Sequence, residues 1–221
     1  MSLAVVTGAN RGIGLALAEA LVARGTTVIG ACRSSSAALQ QLGVEVVDGI
    51  DVTSEASVRR LAEAVGQRSV DLLINNAGIL IWGDRLDAVD FDGVKRQFDT
   101  NAVGPLRVTL ALRARLRPGA KVGLITSRTG SIENNGSSGA YGYRMSKAAL
   151  NMAGKSLAVD LRPFEVAVAI LHPGMVKTDM IGDRGKVEPA EAARGLLARI
   201  DELTLETSGG FWHANGERLP W

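Results

Sequence analysis

Short apolar runs rich in β-branched residues return along the chain, and stretches of helical periodicity separate them. The first is Leu-Ala-Val-Val-Thr at residues 3–7, continuous rather than alternating, as expected of a parallel strand covered on both faces. Similar runs predict strands at 26–32, 44–50, 70–74, 120–126 and 166–171, with a final one at 209–213. Between them, Leu15, Leu17, Ala18, Leu21 and Val22 predict a first helix. A second runs to about Gly66 from Thr53 or Ser54, either of which can cap it. Phe91, Val94, Phe98, Val103, Leu106 and Leu110 predict one long helix over 88–117. Residues 140–161, ending at Arg162-Pro163, predict another, and a last helix starts near Pro189, a good first-turn residue. This alternation predicts an α/β fold: a single domain over 1–221, with a doubly wound parallel sheet of seven strands and helices on both faces.

The helix at 140–161 carries Leu150, Leu157 and Leu161 on one face and Ala148, Met152 and Val159 elsewhere around it. Two apolar faces predict that one packs on the sheet and the other on a second subunit, in a homodimer or homotetramer. Lys and Arg number 25 against 23 Asp and Glu, a net charge of +2 with no long run of either sign. That balance argues against a nucleic-acid partner or a membrane-binding face, and no apolar stretch reaches the length of a membrane span. Cys32 is the only cysteine and His172 and His213 the only histidines, so neither an intrachain disulfide nor a metal site is expected. With no signal-peptide pattern at its start, the chain reads as a soluble, cytoplasmic protein.

Chemistry concentrates at the carboxyl ends of the predicted strands, where open α/β sheets bind ligands. Gly8-Ala-Asn-Arg-Gly12-Ile-Gly14 lies between the first strand and its helix. Glycines there let the backbone approach a diphosphate, and the free N–H groups of the helix start bind its charge. Arg33 ends the second strand, where an NAD-specific site would place Asp or Glu, and Arg11 sits in the glycine loop. Guanidinium pairs with phosphate, so NADP(H) is preferred, with NAD(H) possible. Asp51 is a candidate acceptor for an adenine amine, and Asn75-Asn-Ala-Gly78 offers small and amide side chains beside a nucleoside. Asn101 falls inside the long predicted helix, just before Gly104-Pro105. Of the two tyrosines, Tyr141 and Tyr143, only Tyr143 has a lysine, Lys147, four residues on, one helical turn away. An ammonium beside a phenol favours the phenolate, which would fit Tyr143 for general acid–base work near neutral pH.

Thr7-Gly8-x-x-x-Gly12-x-Gly14, Asn75-Asn76-Ala77-Gly78, Asn101, Ser127, Tyr143-x-x-x-Lys147 and Pro173-Gly174 together resemble the short-chain dehydrogenase/reductase family over essentially the whole chain. Within it, Gly139–Lys147 and the tail from Ser208 to Trp221 resemble the small carbonyl-reductase branch that includes sniffer and C-factor-like proteins. The resemblance implies a Rossmann fold and an oxidoreductase acting on a small carbonyl or alcohol. Tyr143 would exchange the proton, Ser127 would hold the carbonyl oxygen, and Lys147 would lower the Tyr143 pKa and bind the nicotinamide ribose. Asn101 would anchor a water leading from Lys147. Cofactor contacts would come from Gly8, Asn10, Arg11, Gly12, Ile13 and Gly14 in the glycine loop, and from Arg33, Asp51 and Val52 beyond it. Asn76, Ala77 and Gly78 would add to them, as would Tyr143 and Lys147 and, after the sixth strand, Pro173, Gly174, Val176 and Thr178. Ser131 competes with Ser127 as the catalytic serine; Ser127 is preferred because it follows the strand directly. Trp82, Met175, Met180 and Ile181 are candidate substrate walls. The rival reading is a non-catalytic or signalling protein that uses the fold only to bind NAD(P). A serine hydrolase is excluded, since no Gly-x-Ser-x-Gly elbow occurs.

Overall fold

The computed structural model describes residues 2–83 and 85–221. Its strands are β1 (Leu3–Thr7), β2 (Thr27–Ala31), β3 (Glu45–Val47), β4 (Val70–Asn75), β5 (Leu116–Ile125), β6 (Ala167–His172) and β7 (Gly210–His213). They form one sheet in the order β3-β2-β1-β4-β5-β6-β7, every pairing parallel. The chain winds outward from β1 to β3 and then crosses to β4 on the other side of β1. The carboxyl ends of β1 and β4 therefore flank a crevice where the winding reverses, the usual ligand position in such sheets.

The helices are α1 (Gly12–Ala23), α2 (Ala37–Gln41), α3 (Glu55–Val65), α4 (Phe91–Phe98), α5 (Gly104–Leu112), α6 (Tyr141–Asp160) and α7 (Pro189–Asp201). Alternate strand residues feed two separate cores. Leu3, Val5, Val122 and Leu124 pack with α3, α5 and α6, through Leu61, Leu112, Leu150 and Leu157. Ala4, Val6, Ala169 and Leu171 pack with α1 and α7, through Leu17, Leu21, Leu196 and Leu197. Burial on both faces explains why β1 and β6 read as unbroken apolar runs.

Two predicted elements come out differently, and one short helix was not predicted. The single helix over 88–117 is instead α4, a π turn at Asp99–Val103, α5 and a 3₁₀ turn at Arg113–Arg115. Pro105 lacks the N–H that a continuing ladder needs, and the widened turn just before it absorbs the break. β5 begins at Leu116, four residues early, and the register shifts between Val70 and Leu72 where Pro118 and Gly119 pass. The five-residue α2, capped by Ser36 Oγ, carries too few apolar positions to show a period. On α6 the second apolar face is open: Met152 and Val159 are each 68% exposed.

Candidate active site

Three local devices build the crevice. At the first, Gly8 has φ +66°, a conformation that disfavours side chains, and Gly14 packs so closely that a Cβ there would collide with Gly8 O and Asn76 Nδ2. Asn76 explains the contact. Its amide donates to Thr7 O and Gly8 O at 3.1 and 3.2 Å, while Thr7 Oγ1 accepts from the N–H groups of Asn76 and Ala77. The β4 end thus clamps the glycine turn. No side chain caps α1, and no acid lies in its first turn, so its leading N–H groups face the crevice uncompensated.

The second device hangs on α4 and the π turn. Asn101, fully buried, accepts from Ile79 N–H and donates to Ile79 O, both at 2.8 Å. Its amide also donates to Ser146 Oγ at 3.0 Å, and that hydroxyl donates to Tyr143 O. One turn earlier, Gln97 Oε1 accepts from Ile81 N–H at 3.0 Å. Two amides four residues apart therefore fix the segment after β4. The Asn101 side-chain amide is thus committed to Ile79 and Ser146.

The third device joins β5 to α6. Ser127 Oγ accepts from Thr129 N–H and Thr129 Oγ1, and Gly130 approaches α6 so closely that a Cβ would lie 2.7 Å from the Lys147 carbonyl carbon. A hydrogen bond from the Ser127 hydroxyl to Tyr143 pulls the phenol pKa down, but burial outweighs it and pushes the value up to about 12. Lys147, 5% exposed, is pushed down by burial to about 8. Its ammonium donates to Ile125 O at 2.9 Å and stands 5.7 Å from the Tyr143 ring centroid. Ser127 thus meets the phenol hydroxyl, and the Lys147 ammonium stands beside its ring.

These parts surround one cavity of about 1140 Å³. Gly8, Asn10, Arg11, Gly12 and Ile13 line it, with Arg33, Asp51 and Val52 at one end. Ser127, Tyr143 and Lys147 lie at the other, beside Pro173, Gly174, Val176 and Thr178. Asn76, Ala77 and Gly78 complete the wall between them. Gly14 and Asn101 lie behind the wall, and Ser131 is turned away, accepting from Asn134 N–H. Asp51 Oδ1 accepts from Thr53 N–H and Oγ1, and those bonds hold its carboxyl below the usual range. Arg33 is exposed on the cavity rim and makes no ion pair among the described residues. Arg11 pairs with Asp179 at 2.7 Å, and both line the cavity.

Of the candidate substrate walls, Met180 and Ile181 line the cavity and Met175 does not. Trp82, half-exposed, donates from Nε1 to Met180 O and carries the Arg184 guanidinium 3.8 Å above its ring. His172 is a lining residue the sequence reading left out; its position directly before Pro173-Gly174 was the available signal. Burial first, then the charges of His213, Arg128 and Lys147, drive its pKa down to about 3, so the imidazole is neutral.

The residues present fit a dinucleotide phosphate: a side-chain-free cradle at Gly14, an uncapped helix start, and a cation at the second strand's end. A Rossmann sheet with a glycine turn at its switch point and a serine, tyrosine and lysine beyond it defines a nucleotide-dependent oxidoreductase class of site. The chain matches the short chain dehydrogenase family over residues 2–188 and belongs to it. It is 44% identical over 227 residues to the 1-hydroxy-2-glutathionyl-2-methyl-3-butene dehydrogenase of Rhodococcus sp. (strain AD45), covering all of both chains. Among solved structures it is similar to carbonyl reductase Sniffer of D. melanogaster, at TM-score 0.92 and 31% identity, covering 100% of this chain and 99% of that one. It is similar also to the NADPH-bound carbonyl reductase from chicken fatty liver, at TM-score 0.90 and 31% identity, with both chains fully covered.

Proposed function

We propose that the chain is an NADP(H)-dependent oxidoreductase that interconverts a carbonyl and an alcohol, with Tyr143 exchanging the proton. The observation that carries this reading is the buried Ser127–Tyr143 hydrogen bond beside Lys147, at the far end of the glycine-turn cavity. The dinucleotide, when bound, supplies the hydride. Gly8, Gly12 and Ile13 would hold its diphosphate, Arg33 its 2′-phosphate, and Pro173, Gly174, Val176 and Thr178 its nicotinamide end. Ser127 holds the carbonyl oxygen against the Tyr143 hydroxyl, which donates its proton as charge develops on that oxygen. Lys147, cationic below about pH 8, stabilises the phenolate left behind and binds ribose hydroxyls. The mixed wall of Met180 and Ile181 suits a substrate with an apolar body.

The test is NADPH consumption with a panel of ketones, aldehydes and quinones, and NADP⁺ reduction with glutathionyl alcohols of the kind the Rhodococcus relative is named for. Turnover of at least one substrate is expected; NADPH bound but never consumed would favour the non-catalytic reading. Cofactor choice has its own prediction. Arg33→Asp should weaken NADPH by roughly 10–100-fold, the value of one charge-assisted phosphate contact of about 1.5–3 kcal/mol, and leave NADH nearly unchanged. Equal losses on both would refute the assignment. A pH profile adds a third. kcat/KM for NADPH should fall as pH rises through about 8, because Lys147 holds its proton below that value and loses it above. A profile flat to about pH 10 would remove Lys147 from the mechanism.

A further inference from the structure

After β7 the chain doubles back. His213 N–H donates to Glu217 O at 2.8 Å, Leu219 N–H donates to Phe211 O at 2.9 Å, and Trp212 and Arg218 form an antiparallel bridge. This hairpin reaches the segment that carries Ser127 at two points. Glu217 Oε2 pairs with Arg128 Nη2 at 2.6 Å, directly beside Ser127. Trp221 O accepts from Glu133 N–H at 2.9 Å, further along the loop that leads to Tyr143. The hairpin is itself anchored: the Trp221 ring stacks on Phe211 at 5.5 Å, with Lys155 of α6 at 6.0 Å. Among the described residues the buried Arg128 Nε has no hydrogen-bond partner, and Glu217 is the carboxylate that pairs with that guanidinium.

We infer that Glu217, acting through Arg128, is a positioning residue for the Ser127 hydroxyl, resting on the reading that Ser127 and Tyr143 act on a carbonyl. The ion pair is about half exposed, with side chains 42% and 51% accessible, so it adds little to global stability. Its contribution is geometric. Ser127 Oγ already accepts from Thr129 N–H and Oγ1 within the turn; what the turn lacks of its own is a tie to the sheet edge beyond β6, and the pair supplies it. A catalytic hydroxyl misplaced by a fraction of an ångström loses most of its advantage, since donors work only near ideal distance from the developing oxyanion.

The experiment is steady-state carbonyl reduction with the full chain, in Glu217→Gln, in Arg128→Met, and in the charge-exchanged pair Arg128→Glu with Glu217→Arg. Each single variant should lower kcat three- to tenfold while KM for NADPH and the melting temperature stay at wild-type values. The exchanged pair should recover at least half of the loss. In a Ser127→Ala background, Glu217→Gln should cost nothing further. Unchanged kcat in the single variants, a parallel fall in melting temperature, or an undiminished loss without Ser127 would each overturn the inference. A wild-type chain that binds NADPH and reduces no carbonyl would instead overturn the underlying reading, a distinct result.

Discussion

Replacing Tyr143 by phenylalanine should lower kcat for carbonyl reduction by roughly 10²–10⁴-fold, the usual contribution of a positioned general acid. NADPH should bind Tyr143→Phe within a few-fold of wild type, because glycine turn and Arg33 contacts lie at the other end of the cavity. The ring keeps its packing and loses only the oxygen that Ser127 contacts. Burial raises the phenol pKa to about 12, so the group is protonated at neutral pH and ready to donate. In the oxidative direction the same burial works against it, since the phenol must first ionise. Alcohol oxidation should therefore quicken with rising pH while carbonyl reduction does not, a sign difference that stopped assays in both directions can read. Full activity in Tyr143→Phe would remove the acid from the mechanism.

Gly14→Ala should be the most damaging single-atom-scale change in the cofactor region. A Cβ at that position enters the space of Gly8 O and of the Asn76 amide, and neither can move freely. Asn76 is bonded to Thr7 and Gly8, and its backbone to Thr7 Oγ1, so displacement propagates into the β1 end and the start of α1. Overpacking of this kind costs about 3 kcal/mol. For a chain of this size the melting temperature should fall by roughly 6–12 °C. NADPH affinity should drop about 100-fold or more if, as proposed, the displaced N–H groups are the ones that hold the diphosphate. Gly136→Ala is the control: nothing lies within 4 Å of its would-be Cβ, and stability and affinity should both stay unchanged. Gly14→Ala with wild-type NADPH affinity would show that the turn does not hold a diphosphate.

What the sequence made legible follows from short-range physics. Strands covered on both faces are apolar nearly throughout, so β1 and β6 stood out as unbroken runs. Tyr143 and Lys147 announced themselves by helical spacing, and α6 begins within a residue of where the Gly/Ser/Asn loop ends. Long-range partners were not legible. Arg11 and Asp179 are 168 positions apart and Arg128 and Glu217 are 89 apart, and no local pattern joins either pair. Nor does residue type reveal a backbone acceptor: the Lys147 ammonium meets Ile125 O, and any residue at 125 would have supplied that carbonyl. Spacing put Tyr143 and Lys147 on one helix face but did not say which atoms meet. In the fold the amine stands over the ring and the serine meets the hydroxyl.

Isotope transfer addresses the proposed chemistry most directly. The chain is incubated with a ketone it consumes and with NADPH carrying deuterium at both positions of the reactive nicotinamide carbon, and the alcohol formed is weighed by mass spectrometry. One deuterium on the carbinol carbon, with formation of that alcohol slowed by at least ~100-fold in Tyr143→Phe, is the expected result. Alcohol without deuterium, or cofactor that stays bound and intact while no alcohol forms, would contradict hydride transfer at this site.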